Sequence, residues 1–188
     1  MSEMSELAEE LLLETEEKME KSLDSYQKEL NTVRTGRANP NLLDSIFVDY
    51  YGALTPIKNM ASVTVPEANQ LYIKPYDRSS LKSIEAAIAT SDLGLNPQAD
   101  GTGIRIIIPK MTEERRRDLV KSVGKMEETA KVVVRNIRRD ANDDLKKMKL
   151  PEDEEKGFLE DIQKLTDTYV VKVEKLTEIK EKELMTIW

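Results

Sequence analysis

The chain has 188 residues, 39% of them apolar and 35% charged, with a net charge of -7, a composition that supports one or two compact domains rich in exposed helix. It contains neither cysteine nor histidine, which excludes disulfides, thiolate chemistry, most transition-metal sites and the commonest general base. The only apolar run of its acidic amino terminus, residues 11–13, is too short for a signal or membrane segment, so a cytoplasmic location with no membrane association is expected.

Residues 5–34 predict a long amphipathic helix. Leu12, Met19, Tyr26 and Val33 stand seven apart, Leu23 and Leu30 fill the intervening position, and Leu7 and Leu11 precede them. Gly36 is the expected left-handed C-cap, with Arg34 and Arg37 beside the negative end of the helix. From residue 37 to 111 the apolar period falls to two, and six of the seven prolines lie here. Short strands are expected around Ile46, Val48 and Tyr50, at residues 53–57, 63–65, 71–73 and 104–108, with a turn at Tyr51-Gly52. One helix interrupts them, capped by Ser79 or Ser80, carrying Leu81, Ile84 and Ile88 on its core face and ended by Leu93-Gly94. Residues 96–103 read as the most flexible loop of this part.

Helix is expected again over residues 112–149, with Thr112 as N-cap and a core face of Leu119, Val123, Met126, Ala130, Val133, Ile137, Ala141, Leu145 and Met148. Leu150-Pro151 breaks it, and a third helix follows with the stripe Phe158, Ile162, Leu165, Tyr169, Val173, Leu176, Ile179, Leu184 and Ile187. At ~1.5 Å per residue these helices each span roughly 45–55 Å. Each has one apolar stripe that needs partners, and a three-helix bundle satisfies all three. The fold class is therefore α+β. Residues 1–36 and 112–188 form the bundle, and residues 37–111 form a small inserted domain. The two chain crossings, Arg34, Thr35, Gly36 and Arg37 on one side and Pro109, Lys110 and Met111 on the other, are expected to act as hinges near 35–37 and 109–112.

Charge is sorted among these parts. Residues 112–149 hold twelve Lys/Arg against eight Asp/Glu, residues 1–36 are net -6, residues 150–188 net -5, and residues 37–111 are balanced. At about 100° per residue, Arg117, Lys131, Arg135, Arg138, Arg139 and Lys146 fall roughly opposite the apolar face of the second long helix. A solvated face paired locally with Glu127, Glu128, Asp140 and Asp143 is one reading of this. The other is a binding surface for RNA phosphates, which need fixed charge and bidentate donors and no base identity. No two carboxylates are expected to be buried together, so no catalytic residue is assigned. Gly101-Thr102-Gly103 lacks the features of a phosphate cradle and reads as a tight turn, so no cofactor or metal is expected. The heptads also fit a homo-oligomeric coiled-coil scaffold, the alternative to a monomeric RNA-binding bundle.

The motifs that carry a resemblance are Arg34-Thr-Gly-Arg37-Ala-Asn-Pro40, Leu42-Leu43-Asp44, Tyr50-Tyr51-Gly52, Ala61-Ser-Val-Thr-Val65, Ser91-Asp-Leu-Gly-Leu-Asn-Pro97, Thr112-Glu-Glu-Arg-Arg116, Val134-Arg-Asn-Ile-Arg-Arg-Asp-Ala-Asn-Asp143 and Gln163-Lys-Leu-Thr-Asp167. In this order, and over nearly the full length, the chain resembles the ribosome recycling factor family. The resemblance implies an L-shaped molecule of a three-helix bundle and a flexibly joined β/α/β domain. It implies binding to the post-termination ribosome along large-subunit rRNA near the peptidyl site, and action with elongation factor G and GTP to split the subunits and release mRNA and deacylated tRNA. By position, Arg135, Arg138 and Arg139 are the implied rRNA contacts, Arg116 and Arg117 weaker members of the same face, and Arg34 and Arg37 the hinge-proximal arginines.

Overall fold

In the computed structural model, which describes residues 2–186, the first helix, α1 (Glu3–Asn31), buries Leu11, Thr15, Met19, Tyr26 and Leu30 along one side. Their steps of four and seven residues keep them in one line. The Ser2 hydroxyl caps the helix by accepting from the Ser5 amide at 3.2 Å. Its end differs from expectation: Thr32 closes it, with both its amide and its hydroxyl donating to the Glu29 carbonyl. Gly36 is left-handed at φ 78°, but it lies beyond the helix and is not its cap. Leu7, expected inside, is 48% exposed.

The described chain divides into two compact units, one made of residues 2–33 with 113–186, the other of Arg34–Thr112. In the second unit β1 (Phe47–Tyr50) and β2 (Ala53–Pro56) form an antiparallel hairpin. Tyr51 and Gly52 both have positive φ, the geometry that matches strand twist in a two-residue turn. Ile57 leaves the strand expected for it and opens a single helical turn, α2 (Ile57–Met60). Next come β3 (Ala61–Glu67) and β4 (Gln70–Pro75), α3 (Leu81–Ala89), then β5 (Pro97–Ala99) and β6 (Ile104–Ile107). The last four strands make an antiparallel sheet in the order β3-β4-β6-β5. Ile84 and Ile88 of α3 are fully buried with Leu71, Ile73, Ile104 and Ile106 of the sheet and Leu43, Val48 and Ile57.

Local expectations are refined here. Ser80 stands at the N-cap position of α3, as expected, but makes no side-chain cap bond; Asp77 caps the turn before it, its carboxylate accepting from the Ser79 amide and hydroxyl, which holds it below the usual carboxylate range. A short 3-10 turn, Arg78–Ser80, intervenes before the helix, and the helix ends at Thr90, ahead of Leu93-Gly94. Residues 97–99 are an edge strand on β6 rather than loop. The turn that follows is well bonded, with Asp100 Oδ1 accepting from the amides of Thr102 and Gly103 at 3.1 and 2.9 Å. A Cβ at Gly103 would stand 2.6 Å from the Tyr72 ring, which explains the glycine by close approach.

The chain then forms α4 (Glu113–Lys147) and α5 (Glu152–Met185), the latter opened at Pro151. Side-chain links fix the helix directions. Ser5 to Glu154 and Tyr169 to Glu20 run α1 and α5 parallel, whereas Lys131 to Glu174 and Arg138 to Gln163 run α4 and α5 antiparallel. Met19, Val134 and Tyr169, one from each helix, pack as a buried layer, and Ala8, Leu11, Ala141, Leu145, Leu150 and Ile162 form another. This is an α+β fold: a three-helix bundle with a small β/α/β unit inserted in the chain. Ile179, expected in the stripe of α5, is 57% exposed, and Thr177 is buried in its place; Ile187 lies outside the described residues.

Thr177 is interior because it is satisfied: its hydroxyl donates to the Val173 carbonyl at 2.9 Å and bonds the Tyr26 hydroxyl. The donation to Val173 leaves Tyr26 as donor to Thr177, so the two partners are not equivalent. Thr177→Val orphans a buried phenol and is expected to cost about 1–3 kcal/mol, whereas Tyr26→Phe leaves Thr177 bonded and costs about 1 kcal/mol. Urea unfolding of both variants measures the difference, and equal losses would contradict this hydrogen-bond direction.

Candidate nucleic-acid interface

Helix α4 starts with Glu113 and Glu114 and ends with Lys146 and Lys147, each sign placed against the opposite end of the helix dipole. Its buried residues are Arg116, Val123, Val134, Ala141 and Leu145. The expected core position Val133 is 40% exposed, while Val134 is 1% exposed. Val134 lies eleven residues from Val123 and seven from Ala141, each within about 20° of a whole number of turns, and Val133 is turned about 80° away from the line of Val123 and Ala141.

This rotation settles where each basic residue falls. Arg116 lies on the core line and is only 8% exposed, so it does not belong to the exposed face on which it was expected. Lys131 is also removed from it. Its ammonium sits 3.0 Å from Glu127 and 3.1 Å from Glu174 of α5, with 13% of the side chain exposed. Donating hydrogen bonds to these two carboxylates raises its pKa. Arg117 is exposed and pairs with Glu113 at 2.7 Å, a surface pair of small energetic worth. Arg135 and Arg139 are exposed and, among the described residues, have no ion-pair or hydrogen-bond partner. Arg138 is half-buried and donates from Nη1 to Oε1 of Gln163 on α5 at 3.3 Å. Measured from the line of Val123 and Ala141, Arg138 is turned by roughly 60°, Arg135 and Arg117 by 120°, and Arg139 by 160°. The arginines thus occupy one flank that begins at the seam with α5, and are not all opposite the core.

The crossing residues lie within the inserted unit, Arg34–Thr112. Arg34 donates to the Leu93 carbonyl, and the Arg37 amide points to the Thr35 hydroxyl at 3.4 Å. Gly36 is buried against Met111, whose Cγ would meet an added Cβ at 3.4 Å. Pro109, Lys110 and Met111 have no regular secondary structure. The turn between β3 and β4 ties both crossings: the Ala38 amide donates to the Ala68 carbonyl and the Ile108 amide to the Asn69 carbonyl, each at 2.7 Å.

Comparison with known proteins bears on what a basic flank of this kind is for. The family model described as ribosome recycling factor matches residues 4–185. The chain belongs to the ribosome recycling factor family. It is 60% identical to the ribosome-recycling factor of Acholeplasma laidlawii over 184 residues, covering 98% of this chain and all of that one. To the Bacillus subtilis factor it is 55% identical over 185 residues, covering 96% and 100%. A solution structure of a ribosome recycling factor superposes with a TM-score of 0.81 at 42% identity, covering 96% of this chain and 98% of that one. A second, the T. thermophilus factor placed with E. coli elongation factor G on the E. coli post-termination complex, superposes with a TM-score of 0.64 at 46% identity, covering 95% and 99%. As a family member the chain is a translation factor of ribosome recycling and not an enzyme. No helix among the described residues is long and apolar enough to cross a membrane.

Sequence reasoning did not connect Gln163 with Arg138, or residues 68–69 with the crossings. For Gln163 a signal existed in its four-residue spacing from Asp167, which places an amide and a carboxylate side by side on a helix. The contrast between the two kinds of basic residue is measurable. Lys131→Met is expected to lower stability by up to about 1 kcal/mol per pair and leave binding to ribosomes unchanged. Arg139→Met is expected to leave the thermal midpoint in place and weaken that binding.

Proposed function

We propose that this chain disassembles the post-termination ribosomal complex together with elongation factor G and GTP, separating the subunits so that mRNA and deacylated tRNA leave. In this reading the bundle anchors on large-subunit rRNA near the peptidyl site through Arg135, Arg138 and Arg139, with Arg117 at the edge of the contact. The observation that carries it is the pair of exposed arginines left, among the described residues, without side-chain partners on a helix braced by two others, in a chain whose net charge is -7. Exposed guanidinium groups of this kind suit phosphate oxygens, and a rigid rod presents them in a fixed order. Support for the partner comes from the relative placed with elongation factor G on a post-termination complex. The chain has no nucleotide-binding motif, so the work of splitting comes from the partner GTPase.

The inserted unit is the part that moves. Arg34, Thr35, Gly36 and Arg37 with Pro109, Lys110 and Met111 carry the crossings, and the bonds beside Val33 and Thr112 absorb the rotation while each unit moves as a packed body. The factor acts as a monomer in this reading, since Met19, Val134 and Tyr169, the residues a coiled-coil scaffold would offer to other copies, are buried within one chain.

Two outcomes test the proposal. Arg135→Ala with Arg138→Ala is expected to weaken binding to large subunits and flatten its salt dependence, each lost phosphate contact removing roughly 0.7–0.9 from the log–log slope; an unchanged slope would contradict an rRNA contact. Glu113→Pro places proline at the first position of α4, where a helix tolerates it and the preceding residue is stiffened. Binding should persist while subunit splitting with elongation factor G and GTP slows, and splitting at the normal rate would argue against hinge motion.

A further inference from the structure

We propose that Gln163 of α5 is a positioning residue for Arg138: its amide, oriented by Asp167, holds the guanidinium on the RNA-facing flank without neutralising it. This rests on the reading of Arg138 as a phosphate contact. Arg138 Nη1 donates to Gln163 Oε1 at 3.3 Å. On the other side of the same amide, Gln163 Nε2 donates to Asp167 Oδ1 at 2.8 Å. An ionised carboxylate only accepts, so Asp167 selects the amide orientation in which nitrogen faces Asp167 and oxygen faces Arg138.

The chemistry of that oxygen matters. An amide is a neutral acceptor: it engages one of the five guanidinium N–H donors and leaves the others, and the whole positive charge, for a ligand. The same α4–α5 seam shows the opposite outcome seven residues earlier, where Lys131 meets Glu127 and Glu174 and is committed to them. Position 163 therefore decides whether a cation at this seam is available or spent. Asp167 lends the arrangement order while its charge stays one side chain away from Arg138. Fixing a long, flexible side chain before binding reduces the ordering cost that a phosphate contact otherwise carries.

The test is binding of the full chain to isolated large ribosomal subunits across a salt series, with Gln163→Ala, Gln163→Glu, Arg138→Ala and the Gln163→Ala, Arg138→Ala double variant. Gln163 is exposed, so thermal unfolding of the single variants should match the parent. Gln163→Ala is expected to weaken binding by roughly three- to tenfold, the scale of coupling between contacting residues, and this loss should vanish once Arg138 is alanine. Gln163→Glu should lower the salt slope by about the 0.7–0.9 of one phosphate contact, because a carboxylate at 163 pairs with Arg138 directly. Equal losses for Gln163→Ala in both backgrounds, no loss with Arg138 present, or a parental slope for Gln163→Glu would each overturn the positioning role. If Arg138→Ala itself leaves affinity and slope untouched, the phosphate-contact reading fails and takes this one with it, an outcome distinct from the others.

Discussion

The packing of Met19, Val134 and Tyr169, one residue from each long helix, is the contact on which the rest of the bundle depends. An α-helix that buries one line of residues fixes the direction of every other. With Val134 turned inward, Arg116 is drawn onto the core line, Arg138 meets α5, and Arg135 and Arg139 are left in solvent. A different rotation of α4 would have handed different residues to the solvent. The polar bonds between α1 and α5 guard the same layer. Tyr169, buried by 97% of its surface judged from its 3% exposure, donates to Glu20 at 2.6 Å, and burial together with that carboxylate raises its pKa.

Charge is managed by the same geometry. Both partners of α4 are acidic, so its basic residues are sorted by how near they come to a neighbouring carboxylate. Lys131 comes close and is committed, whereas Arg135 and Arg139 stay clear. The result is a narrow basic stripe on an acidic protein. A stripe concentrates attraction along one line of phosphates, while the surrounding negative charge discourages general adhesion to nucleic acid. Membership of the ribosome recycling factor family gives this stripe its proposed destination.

The long elements were legible because apolar spacing sustained over some thirty residues leaves one helical solution. What escaped was local. Three consecutive valines, Val132, Val133 and Val134, give the pattern no means of choosing among themselves, and only the phase of Val123 and Ala141 singles out the last. Arg116 reads as surface by charge although its place seven residues before Val123 puts it on the buried line. Thr177 displaced Ile179 because a hydrogen bond to Tyr26 offsets the burial of a hydroxyl, a partnership invisible along the chain. Residues 97–99 carry no alternation, and their strand is imposed by β6. Of the proposed interface, its helix and the exposure of Arg135 and Arg139 were readable, while the loss of Lys131 and Arg116 and the contribution of Gln163 depend on neighbours from other elements.

The central claim is that one flank of α4 lies against ribosomal RNA. Because the chain contains no cysteine, a single introduced cysteine carries a tethered iron chelate at a unique place. Glu128 is exposed on α4, at about 140° from the core line and so among the arginines; Glu10 is exposed on α1. Hydroxyl radicals generated from Glu128→Cys on the large subunit should cut rRNA strongly at a few clustered positions, and those from Glu10→Cys should cut elsewhere or weakly. Strong cleavage from position 10 with none from position 128 would contradict the account.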